Sequence, residues 1–246
     1  MKMIIIVFIL ALSACASSAP PAVTPSHMIT LPGQGSMVIL GMAARQSSRA
    51  NEIALAKETA ARKASMYHRV FAGKVERSYV GIGYFDYIQD SQTWVEYDQL
   101  LERYMDRLSF DEDKDIFRDA NGNVFIRFTY PVSFPERINY QPLRDNIGRP
   151  EWVSKPPAEI SGFKAGVGRS GRLDRFTDTV TKSYEAAAVA IASRISTVVT
   201  TEDITIYNQS SQNISSRSEA VMTNFLVLET WIDPQTRAVY TLAIAR

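Results

Sequence analysis

Residues 162–171 read GFKAGVGRSG. Gly166, Gly168 and Gly171 stand in the spacing G-x-G-x-x-G, between a run that reads as a strand and a periodic segment that reads as a helix. In a dinucleotide-binding fold such glycines follow a buried parallel strand, and an acidic residue closes the next strand about 20 positions on. Here Glu185 has a suitable distance but falls inside the expected helix, and Glu202 and Asp203 come too late. The following segment, TVVTTEDITIYN, mixes polar and apolar residues like a half-exposed strand, not like a continuous buried one. The glycines therefore read as a turn from strand into helix, and no nucleotide is expected.

The helix after the turn carries Phe176, Val180, Tyr184, Ala187, Ala188, Ile191 and Ile195 at three- and four-residue steps, which places one apolar stripe on one face. A similar stripe occurs earlier at Ala50, Ile53, Ala54, Ala60, Ala61, Ala64 and Tyr67. It follows Gly41, the one glycine of the three that this earlier segment keeps, and aligning Gly41 with Gly166 lays the two regions over each other. Both then proceed as strand, glycine, polar turn, alanine-rich helix, strands and a closing hairpin around an aspartate, Asp119 or Asp233. Alanine on the buried face combines high helix propensity with close approach to a sheet.

Asn121-Gly122 signals a type I′ hairpin turn, with positive φ at both central residues. The second closing hairpin turns at residues 233–236. A further helix is expected over 93–108, with Trp94, Tyr97, Leu101, Tyr104 and Leu108 inward, and a shorter one near 215–222. The fold class is thus α+β, built as two small modules, each an antiparallel sheet with helices packed on one face. The first spans 37–134 and the second 159–246, with a connection at 135–158 inside a stretch holding prolines 131, 135, 142, 150, 156 and 157. Strand 239–245 is expected at an edge, open to β-pairing.

The chain opens MKMIIIVFILALSAC. Lys2 and the apolar run 3–12 have the make-up of a signal peptide, and the run is shorter than the roughly 20 residues of a spanning helix. Leu12, Ser13, Ala14 and Cys15 resemble a lipobox, and Cys15 is the one cysteine among 246 residues. Residues 1–15 are therefore expected to be a lipoprotein signal peptide with its lipobox, and Cys15 the lipid attachment site. Residues 16–36, with four prolines, form a flexible tether. Ala16 stands where an aspartate signals inner-membrane retention in such proteins, which points to the outer membrane. The chain has net charge +1 and offers no field of one sign for nucleic acid.

Trp152 in its proline-rich lead-in, Gly166 and Gly168, the alanine-rich helix, and Trp231, Asp233 and Tyr240 in the closing strand pair together resemble the bacterial twenty-kilodalton-type conserved outer-membrane lipoprotein family. The flagellar basal-disk lipoprotein FlgP and the amino-terminal domain of the flagellar protein FlgT are similar to that family. The resemblance covers about residues 150–246 directly and 37–134 through the repeat, and those six residues are expected to be structural. It implies no catalysis and no cofactor, and a role through contact with a protein partner or through self-assembly, as in flagellum-associated structures. A doubled unit departs from the family pattern.

Candidate chemistry is sparse. His27 lies in the tether and His68 at a helix end, where a cation is favoured. Neither Asp111 nor Asp119 starts a register with the glycine and glutamate of a calcium loop, so no metal site is expected. The aromatic cluster Tyr79, Tyr84, Phe85, Tyr87, Trp94 and Tyr97 reads as core or as a contact face. The competing expectation is a periplasmic ligand-binding or peptidoglycan-acting protein with a site between the modules, in a cleft ringed by aromatics and acids.

Overall fold

A computed structural model describes residues 28–31, 36–81, 87–134, 136–146, 148–206 and 209–246. The first copy runs β1 (Met37–Ala43), α1 (Arg49–His68), β2 (Val70–Gly81), β3 (Tyr87–Tyr97), α2 (Glu102–Met105), β4 (Ile116–Arg118) and β5 (Val124–Tyr130). A 3-10 turn at Glu151–Val153 and β6 (Glu159–Ile160) lead into the second. It runs β7 (Phe163–Ser170), α3 (Phe176–Ile195), β8 (Val198–Ile206), β9 (Gln209–Met222), β10 (Leu226–Ile232) and β11 (Val239–Ala245).

The chain is α+β, with antiparallel sheets ordered β1-β5-β4, β10-β11-β7-β6 and β3-β2-β9-β8. The first two repeat one another: β1, β5 and β4 correspond to β7, β11 and β10. The repeat keeps a constant step of 127 residues through the first strand and helix. Arg49–His68 maps onto Phe176–Ile195 end to end, and Gly41 maps onto Gly168, not onto Gly166 as the glycine spacing suggested. Gly41 pairs with Ile126 as Gly168 pairs with Thr241. Even the helix entries match: Gln46 N donates to the Glu52 carboxylate and Leu173 N to the Thr179 hydroxyl, 3.1 and 3.0 Å.

Those glycines sit where helix and strand nearly touch. A side chain at Gly41 would run into the backbone oxygen of Ala56, and one at Gly168 into that of Ser183, the equivalent residue. At Gly166 it would meet Ile191 Cγ1 at 2.6 Å and Ala187 O at 2.7 Å. None of the three needs a positive φ. The glycine run is thus a close-approach seam within β7, and only Gly171 stands in the turn.

Several expectations change. Alternation along β1 splits its side chains: the face with Met37, Ile39 and Ala43 packs with α1, and Leu40 and Met42 pack with α3. Likewise Phe163 and Ala165 of β7 join the α1 core, so each short sheet is covered by both helices. Ala50 and Ala54 are exposed, and the inward row of α1 is Ala56, Ala60, Ala61 and Ala64. The helix expected over 93–108 is strand to Tyr97, because Thr93, Trp94, Val95 and Tyr97 favour a pleated, half-buried ladder with β2. Residues 215–222 are also strand, in β9. The Asn121-Gly122 turn is not type I′. Only Gly122 has positive φ, because the Asp119 carboxylate accepts the N–H groups of Asn121 and Asn123, both at 2.8 Å, and holds a wider loop. Asp233 does the same for Gln235 and Thr236.

The largest departure is the third sheet. Hairpin β2-β3 of the first copy and hairpin β8-β9 of the second join through twelve residue pairs between β2 and β9, from Val70↔Met222 to Gly81↔Ser211. The copies share a sheet. The connection is also built in: Phe134, Ile138 and Trp152 are buried in the core. So is the end of the expected tether, where Met28 and Thr30 are buried and Thr30 N donates to Leu228 O at 2.8 Å.

Replacing Gly168 with alanine should lower stability by about 1–3 kcal/mol, the usual cost of overpacking a tight seam. Gly171→Ala, with nothing within 4 Å, should stay within about 0.5 kcal/mol. Urea unfolding followed by circular dichroism tests both, and equal effects would remove the seam argument.

Candidate interaction surface and buried polar groups

Five of the six family-like residues serve packing or turns. Trp231 is 4% exposed and packs on Tyr240 with ring centroids 5.4 Å apart. Tyr240 in turn lies under the Arg169 guanidinium. Asp233 ties its hairpin, and Gly166 and Gly168 line the α3 seam. Trp152 does something the sequence did not announce. Its Nε1–H donates to Glu229 Oε2 at 2.9 Å, and Glu229 is wholly buried in β10. The same carboxylate accepts from Arg144, at 2.5 Å, and from the Tyr140 hydroxyl. Burial, then the Glu229 charge, push the Tyr140 hydroxyl far up, so it stays a neutral donor. Three residues of the proline-rich connection thereby clamp one buried charge. Every second residue of LVLETWI would be apolar in a half-buried strand, and Glu229 breaks that pattern. This break is the available sequence signal.

A second buried charge lies between the copies. Lys63 of α1 reaches the edge of β1, where Nζ donates to Leu40 O at 2.8 Å, and it lies 4.5 Å from the centre of the Tyr184 ring of α3. A void of about 10 Å³ beside it, lined by Thr30, Ile39 and Val227 among others, has the size of one water. Lys63 is 6% exposed. With no carboxylate at its head, burial lowers its ammonium from 10.5 to about 7.

His68 accepts a different role from a helix-end cation. It lies 2.9 Å from the Tyr130 hydroxyl, which also takes Arg107 at 3.1 Å. Burial, then the charges of Arg107 and Arg103, push the imidazole below its ordinary value. The acids of 111–115 close a turn, with Asp111 accepting from Asp113 N and Lys114 Nζ. Among the described residues no cluster of three His, Cys, Asp or Glu is placed to hold a metal. Cys15, Leu12, Ser13, Ala14 and His27 lie outside the described residues, as do Tyr84 and Phe85 and the side chains of Tyr79 and Tyr87. No described helix is long and apolar enough to cross a membrane.

Among the described residues two grooves lie between the copies. One, of about 460 Å³, is lined by Asn121 and Asn123 of the first copy and by Arg172, Asp174, Phe176 and Arg237 of the second. The other holds about 520 Å³ between α3 and the β2-β3 hairpin, lined by Lys74, Trp94, Arg169, Lys182 and Glu185. Its carboxylate is engaged, with Glu185 taking Lys182 at 2.6 Å. Among the described residues this groove carries a single indole and a paired acid. Val95 and Tyr97 pack towards α3, whereas the Trp94 indole covers Gly73. Beyond this, residues 90–93 and Glu96 of β3 are exposed. Strand β11, expected at an edge, is central between β10 and β7. Among the described residues the long strands at sheet edges are β3 and β8.

No family model, curated protein or solved structure matches the chain.

Lys63 gives a signed pH dependence. Its folded pKa of about 7 lies below the unfolded value of 10.5, so between them the unfolded chain binds more protons and stability should rise with pH. Denaturant midpoints from pH 7 to 10.5 should climb, on the order of a few kcal/mol in all, and Lys63→Met should flatten the slope. Glu229→Ala should cost about 3–5 kcal/mol by stranding Arg144; an unchanged midpoint would show that the clamp holds nothing.

Proposed function

We propose that the chain is a cell-envelope lipoprotein, attached to the outer membrane through Cys15, that acts as a structural or protein-interaction module. An envelope-spanning or flagellum-associated assembly is the setting that its family-like residues suggest. The observation that supports this reading most is the shared sheet. Its strands run up to 14 residues, its inner joint is satisfied, and its outer strands β3 and β8 have no further strand beside them among the described residues, an edge of the kind that recruits another strand. The buried charges add to it: Glu229 and Arg144 tie the connection to β10, and Lys63 lies between α1, the edge of β1 and Tyr184 of α3. The groove beside α3 favours the competing ligand-binding reading less, because its acid and two of its cations are paired with each other or with Glu76.

The anchor is tested by Cys15→Ser. The variant is expected to move from the membrane to the soluble fraction on ultracentrifugation of lysed cells. Unchanged membrane association would refute attachment through that residue.

A further inference from the structure

The two hairpins are copies of one element, yet they meet through unlike strands. The step of 127 residues that relates α1 to α3 carries Arg69, the residue ending α1, onto Ser196, which ends α3. β2 therefore corresponds to β8. Val70 pairs with Tyr97 in the first hairpin. Its counterpart Thr197 faces Ser218 in the second, their hydroxyls 2.9 Å apart, so β3 corresponds to β9. The joint β2·β9 thus binds the first strand of one hairpin to the second strand of the other.

A joint between like strands would be used up within one chain. A joint between unlike strands leaves behind the two edges that would make it again: β3 is a second copy of β9, and β8 is a second copy of β2. Such heterologous contacts propagate from subunit to subunit. From this we infer that β8 of one copy of this chain pairs with β3 of the next, antiparallel, in the register that β2 and β9 use. The inference rests on the interaction reading above and names its partner as a second copy.

The register follows from the repeat. Ser78 pairs with Ile214 inside the chain, and the corresponding pair across copies is Thr205 with Thr93. Arg77 with Ser215 becomes Ile204 with Trp94, and Val75 with Arg217 becomes Glu202 with Glu96. Neither edge carries the proline or lysine that commonly blocks strand addition. The one opposition is Glu96 against Glu202, a like-charge pair that weakens the contact without blocking the backbone. Attachment of every copy to one membrane would offset that weakness by raising the local concentration.

The test is disulfide trapping in the full-length chain in its own membranes. Within one chain Thr93 and Thr205 lie on opposite edges of a four-stranded sheet, and Thr205 is eight residues beyond Thr197, the residue level with Thr93; at the usual strand spacing and rise they are about 30 Å apart, too far for an intrachain bond. The double variant Thr93→Cys, Thr205→Cys is expected to give a reducible ladder of dimers, trimers and higher species after mild oxidation. Either single variant should give no ladder. Glu96→Lys or Glu202→Lys added alone should raise the ladder about two- to five-fold, the effect of replacing like by unlike charges across strands. Adding both sets Lys against Lys, again a like-charge pair, and should return the ladder to its starting level. Monomer alone, or an equal ladder from the out-of-register pair Thr93→Cys, Val199→Cys, would overturn the proposal. Trapping of a different protein at Thr93 would also overturn it, yet leave the interaction reading standing.

Discussion

Twelve residue pairs between β2 and β9 decide what this molecule is. A single copy of the repeat is a small α+β unit, and units of under a hundred residues bury a limited share of their surface. With the twelve pairs made, the first copy's hairpin shelters under α3. Val70 and Ala72 are buried in the same core as Val180, Tyr184 and Ala188. The short sheets interlock as well, so neither core belongs to one copy. The stability of each half is a property of the pair.

Glycine and charge mark the two places where that interlocking is tightest. At Gly41 and Gly168 the helix backbone lies against the strand, and the absence of a side chain is what allows it. At Lys63 an ammonium group crosses from α1 to the edge of β1 and the face of Tyr184, in surroundings that penalise its charge. The Glu229 clamp adds a third tie, from the proline-rich connection to β10. A buried ion is held this way only when its hydrogen bonds are complete, and Arg144, Tyr140 and Trp152 supply them.

Much of this was legible in the residues. The alanine-rich helices, the hairpins around Asp119 and Asp233, the antiparallel strands and the duplication all leave local patterns, in periodicity, turn chemistry and order. What failed had non-local causes. Trp94 and Tyr97 sit at helical spacing by coincidence, and their ladder partners Gly73 and Val70 decide the conformation. Glycine spacing pairs Gly41 with Gly166, whereas the contact with the helix backbone, at Ala56 and Ser183, pairs it with Gly168. Nothing local says that β2 will pair with a strand some 140 residues downstream. The clamp is hidden for the same reason: Glu229 stands out in its strand, but nothing near it names Tyr140, Arg144 and Trp152 as the residues that fold over it.

That distance has a consequence for how the chain comes into being. Polypeptides are made from the amino terminus, so β2 emerges long before β9 exists. Through that interval its inner edge and the apolar residues Val70 and Ala72 lack their cover, and closing so large a loop is slow. Nascent hairpins in this condition attract strands from neighbouring molecules. The same geometry that ties the halves into one body therefore makes the order of synthesis a hazard, and places a premium on whatever keeps the half-made chain apart from its siblings until its carboxyl end arrives.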